Sequence, residues 1–190
     1  GAQQHGHMNA VGYDLYCKML SEAVKEAKGI QTMDDFETTI DLNIDAFIPD
    51  SYISNEFQKL DIYKRIAMIE SREEYDDMLE ELLDRFGEPP RAVQNLLSIA
   101  ELKAEAHRAF ITEVTQKGDF IKLVMYEKTQ ADPKRIEQMI QKYQGKMKFV
   151  IEANPYFLYT KPRKSAKDNR DVLELTMHLL FLLCGVVAVA

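Results

Sequence analysis

Glu81, Asp84 and Arg85 are the charged residues best placed for specific chemistry. At about 100° per residue they share one side of a helical segment over 72–86. The other side carries Tyr75, Met78, Leu79, Leu82 and Phe86 within about 100° of arc. Two carboxylates and a guanidinium on one rigid face suit directional ion pairing with another protein, not bond making. Glu81 and Arg85 stand four apart and can pair, worth about 0.2–0.5 kcal/mol. Arg85 complements the negative end of the helix dipole, whereas a carboxylate such as Asp84 in the last turn costs about 0.3–1 kcal/mol. A residue that works against its own helix suggests a partner outside it. A solvated face is the plainer account of the same charges.

Other constellations are thinner. Lys161, Arg163, Lys164, Lys167 and Arg170, with Pro162 and Ser165 between them, form a basic stretch over 161–170. It could contact phosphates or an acidic surface, or be a solvated linker, with only Tyr159 nearby as a stacking platform. His5 and His7 lie two apart without a Cys or acidic ligand beside them, too few for a structural zinc site. His107 and His178 stand alone on helices and fit local packing. The sequence holds no GxxxxGK[ST] loop, no GxGxxG after a strand, no GxSxG elbow and no HExxH helix. No catalytic residue, metal or cofactor is therefore expected, and the chain reads as a binding module rather than an enzyme.

The composition agrees. Hydrophobic residues make up 46% of the 190, enough for a real core. A net charge of -7 argues against a duplex as the main partner. The charge is uneven: Asp34 to Glu88 holds 17 acidic and 5 basic residues, so an acidic middle suits an Arg- or Lys-bearing partner. Cys17 and Cys184 form no CxxC pair and read as reduced thiols of a cytoplasmic protein. No signal peptide is expected, because Asp14, Lys18 and Glu22 interrupt the first apolar stretch. The uncharged run Leu179 to Ala190 is 12 residues long, short of the roughly 20 that span a bilayer.

The elements that must position these residues follow from period and punctuation. Residues 1–12, spaced by Gly1, Gly6 and Gly12, read as a hook or loop, followed by a helix to Lys28 that Gly29 ends. Thr39 to Ala46 alternates Ile40, Leu42, Ile44 and Ala46 with polar residues, as a half-buried strand does. Ser54 or Asn55 caps a helix to about Glu70. Its Phe57, Leu60, Ile62, Tyr63, Ile66 and Ile69 run nearly all round, which predicts a central buried helix. The 72–86 helix ends at Gly87, and Pro89-Pro90 opens a helix to about Phe110. Strands over 112–116 and 120–126 flank the Lys117-Gly118-Asp119 turn. A helix from Asp132-Pro133 to Tyr143, strands over 147–152 and 156–159, and a helix from about Asp168 complete the chain. The order predicts α+β architecture: a small mixed β-sheet with about six helices, one compact domain plus an N-terminal hook and helix.

Three stretches carry a family resemblance: Gln4-x-Gly6 through Gly12-Tyr13-x-Leu15-Tyr16-x-x-Met19-Leu20; Phe47-Ile48-Pro49-Asp50 followed by Tyr63-Lys64-Arg65-Ile66-Ala67; and Glu81-Leu82-Leu83-Asp84-Arg85-Phe86-Gly87 with Pro90 close behind. In order and spacing they resemble the C-terminal region of bacterial transcription-repair coupling factors, over about the first 110 residues. The first stretch is shared with related DNA translocases. The resemblance implies a parent that is an ATP-driven DNA translocase, which displaces stalled RNA polymerase and recruits nucleotide excision repair. It assigns 1–29 to the end of the translocation motif, with Gln4, Gly6 and Gly12 coupling motor closure to the DNA grip. It assigns 30–190 to a regulatory C-terminal domain that folds back on the parent's own N-terminal UvrB-like module. There Glu81, Asp84 and Arg85 would mask the surface that recruits UvrA and restrain the motor. UvrA, RNA polymerase and DNA would be partners through the parent, with no membrane involved. The uncharged run 179–190 departs from the charge-studded amphipathic helix of the family. The alternative is a nucleic-acid accessory module using the basic stretch 161–170.

Overall fold

The computed structural model describes residues 36–161, 169–184 and 187–189. These divide into two compact units, where the sequence predicts one compact domain: 44–101, and 36–43 together with the residues from 102 onward. The expected boundary between 29 and 30 lies outside the described residues.

The first unit is helical. It contains α1 (Glu56–Ala67), α2 (Arg72–Phe86) and the first part of α3 (Arg91–Arg108). Each start has a local cause. The Asn55 side chain accepts from the Phe57 and Gln58 amides, and Ser71 accepts from Glu74 N. Gly87 ends α2 at φ 84°, ψ -169°, a region that side chains other than glycine's rarely enter. Ile48, Ile53, Ile62, Ile66, Leu82, Val93, Leu96 and Leu97 form the core, with Tyr52, Tyr63, Tyr75, Leu79 and Phe86 packed around it. Pro49 O accepts from the Tyr52 and Ile53 amides, so the chain turns there into α1.

The second unit is built on a five-stranded sheet in the order β1-β2-β3-β6-β5. Its strands are β1 (Thr39–Asp41), β2 (Ile111–Lys117), β3 (Phe120–Met125), β5 (Met147–Val150) and β6 (Tyr156–Thr160). β1 runs parallel to β2 and the other neighbours are antiparallel, so the sheet is mixed as the sequence predicts. Lys117 pairs with Phe120 across Gly118-Asp119, and Gly118 takes the φ of 58° that this tight hairpin requires. Ile121, Leu123 and Met125 are buried, alternating with Phe120, Lys122 and Val124. Around the sheet lie the end of α3, α4 (Pro133–Lys142) and α5 (Asn169–Cys184), while β4 (Thr129–Ala131) pairs with β7 (Val187–Val189).

Three expectations change. α1 is not apolar all round in its packing: Ile62 and Ile66 are inside, but Phe57 is 84% and Leu60 49% exposed, and Lys59 is buried instead. The ladder of the first strand stops at Asp41, although burial still alternates through Ile40, Leu42 and Ala46. Within the uncharged end, the residues through Cys184 close α5 and Val187–Val189 form β7, with Leu179 and Leu180 buried. Five helices are formed among the described residues, none long and apolar enough to cross a membrane.

Candidate functional site

α2 presents the candidate face. Its Met78 and Leu82 are buried in the first unit, and Tyr75, Leu79 and Phe86 pack against the same core, so the apolar stripe read from the sequence is the anchored side. Arg72 ties the start of α2 to α3 through Glu101 at 2.8 Å and stacks over Tyr75 at 4.3 Å. The other end is held by Tyr52, whose hydroxyl donates to Leu82 O at 3.2 Å and to Gly87 O at 2.8 Å. The helix is therefore fixed at both ends, and its polar face is fixed with it.

On that face Asp84 and Arg85 are exposed and Glu81 is half-buried. Arg85 reaches Glu81 at 3.6 Å, the pairing expected from their spacing. The sequence reading missed a second partner: Arg65 of α1 donates to the same Glu81 carboxylate. That bond, more than any other influence, holds the Glu81 carboxyl below the usual range, helped by the charges of Arg65 and Arg85. Glu81 thus serves two arginines at once, and Asp84 forms no ion pair among the described residues. Arg85 also lies 4.9 Å from the Phe86 ring centroid, which limits where its guanidinium can point.

The second and third stretches behind the family resemblance meet in space, and the first lies outside the described residues. Ile48 N donates to the Tyr63 hydroxyl at 2.8 Å, and Asp50 pairs with Lys59 of α1. Phe47 N donates to Ala92 O at 3.3 Å, and Asn95 reaches Asp45 O at 2.9 Å. These bonds join 45–50 to α1 and α3, and the Arg65–Glu81 bridge joins α1 to α2. Phe47, Ile48, Asp50, Tyr63, Arg65 and Glu81 of these two stretches thus take part in the bonds that hold the first unit together.

Gln4, Gly6, Gly12, His5, His7 and Cys17 lie outside the described residues. So does most of the basic stretch, but its first member, Lys161, is 5% exposed and donates from its backbone to Asp119 O at 2.6 Å. His107 stacks on Phe36 with centroids 4.5 Å apart and sits 3.2 Å from Phe36 O, as a packing histidine does. No group of His, Cys, Asp and Glu able to hold a metal occurs among the described residues.

Fold and site together define an α+β domain whose most specific feature is a charged helix face held by its own core. A family model described as the TRCF domain matches residues 42–136, half the chain, and the chain belongs to that family. It is 41% identical over 133 residues to the transcription-repair-coupling factor of Bacillus subtilis, covering 70% of this chain and 11% of that protein. It is 36% identical over 177 residues to the one of Staphylococcus haemolyticus, covering 91% of this chain and 15% of that protein. The chain thus spans about a ninth to a seventh of these relatives. The crystal structure of a C-terminal domain of transcription-repair coupling factor superposes with a TM-score of 0.64 at 28% identity. That match covers 79% of this chain and 93% of the other.

Proposed function

We propose that this chain is the regulatory C-terminal domain of an ATP-dependent DNA translocase that couples transcription to nucleotide excision repair. It acts by binding protein, without catalysis or a cofactor of its own. Its target is the parent's own N-terminal UvrB-like module, whose UvrA-recruiting surface it masks while restraining the motor. One observation carries this reading: Glu81, Asp84 and Arg85 sit on the outward side of a helix whose other side is locked into a core. Fixed charges of both signs give orientation as well as attraction. The acidic run from Asp34 to Glu88 favours approach to a basic surface. In the full-length protein, alanine at all three positions should raise UvrA affinity without any activating polymerase. A variant that melts like wild type yet binds UvrA no better would contradict the masking role of this charged face. UvrA, RNA polymerase and DNA are partners of the parent, and the setting is the bacterial cytoplasm.

The proposal extends to Gln4, Gly6 and Gly12 as residues that couple motor closure to DNA grip. In the full-length protein Gln4→Ala should leave ATP hydrolysis largely intact and abolish polymerase displacement. Normal displacement by that variant removes the assignment.

A further inference from the structure

The first unit leaves an apolar stripe uncovered beside the charged face. Phe57 is 84%, Leu60 49% and Met68 60% exposed, although α1 has an apolar interior side in Ile62 and Ile66. At the helical period these three side chains fall within about 80° of arc, with Lys64 among them and Asp61 at the edge, opposite the buried pair. The stripe runs three turns along the helix in the spacing with which amphipathic helices enter grooves. Its Met68 end lies nearest the α2 face, because Arg65, three residues before Met68, bonds Glu81 across the two helices.

Charges alone are a weak hold for a masking contact. An exposed ion pair shifts an equilibrium by about fivefold at most, and Glu81 already serves Arg65 and Arg85 within the domain. Stable protein contacts bury about 800 Å² on each partner, far more than three charged side chains offer. Their affinity comes mainly from a few apolar or aromatic anchors inside a polar rim.

We propose that Phe57, Leu60 and Met68 are the apolar anchor of the masking interface, with Glu81, Asp84 and Arg85 as its rim. The occupant is a basic protein surface that sets an apolar pocket beside arginines or lysines. The acidic excess around the stripe selects for that charge. The proposal rests on the masking function above and places the occupant on the parent's own N-terminal module.

The test measures UvrA binding to the full-length protein without polymerase, for wild type, the E81A/D84A/R85A variant and the F57S/L60S/M68S variant. The anchor predicts that the serine variant melts like wild type and binds UvrA at least about tenfold more tightly. That result supports the anchor whatever the alanine variant does. If the alanine variant then stays at the wild-type level, the charged-rim reading alone falls. A rise for alanine with none for serine overturns the anchor and leaves masking intact. No change in either overturns both. Should the triple serine variant fail to fold, F57S alone, at a position 84% exposed, carries the same test.

Discussion

Glu81 is asked to do two things, and a substitution there separates them. Within the domain it bridges Arg65 and Arg85, and in the proposed masking contact it is one of three charges offered to the partner. Because its carboxyl is held below its ordinary 4.5, the bridge stabilises the fold above that pH and is lost as pH falls through the lowered value. Glu81→Gln should remove this acid sensitivity and cost up to about 1 kcal/mol at neutral pH, as expected for a partly exposed pair. Thermal melts of wild type and Glu81→Gln between pH 3 and 7 check it: curves that stay parallel throughout would argue against the bridge. The Glu81–Arg85 pair was legible in the sequence because four residues is one helical turn. Arg65 was not, since it lies 16 residues away on another helix and meets Glu81 only once α1 packs on α2.

At the scale of elements, hydrophobic period located the helices well and their buried sides less well. α2 came out as read because its apolar residues form a single stripe. α1 carries apolar residues on both sides, and period alone cannot choose between them. The buried side is the one with Ile62 and Ile66; Lys59 shares it, its stem inside while its ammonium reaches Asp50, and Phe57 and Leu60 face outward. The hairpin over 117–120 was legible from Gly118. The pairing of Thr39–Asp41 with β2, more than 70 residues along, and that of β4 with β7 were not, because neither has a local determinant. The pose of α2 gives two direct checks. Tyr52→Phe removes the hydroxyl that donates to Leu82 O and Gly87 O and should cost about 0.5–1.5 kcal/mol. Gly87→Ala forces a side chain into a glycine backbone region and should cost about 1–3 kcal/mol. Denaturant midpoints measure both, and an unchanged midpoint for either would deny that contact its part in holding the helix.

For the whole molecule, family membership came from short blocks whose order and spacing were visible in the chain. The bonds of Ile48 to Tyr63 and Arg65 to Glu81 join residues of the second and third blocks within the first unit. The proposed function rests on that resemblance, because a docking face would lack the fixed side-chain geometry that marks a catalytic centre. The account expects the isolated chain not to bind ATP, since the sequence offers no phosphate-cradling loop; micromolar affinity by calorimetry would contradict it. The central claim is that the α2 face lies against the parent's N-terminal module. The most direct measurement places a photo-crosslinking amino acid at position 84 of the full-length protein and irradiates it without polymerase or UvrA. The account predicts crosslinks from position 84 into the N-terminal module, lost in a protein that also carries E81A and R85A. Crosslinks absent from that module, with the protein folded and the probe active, would contradict it.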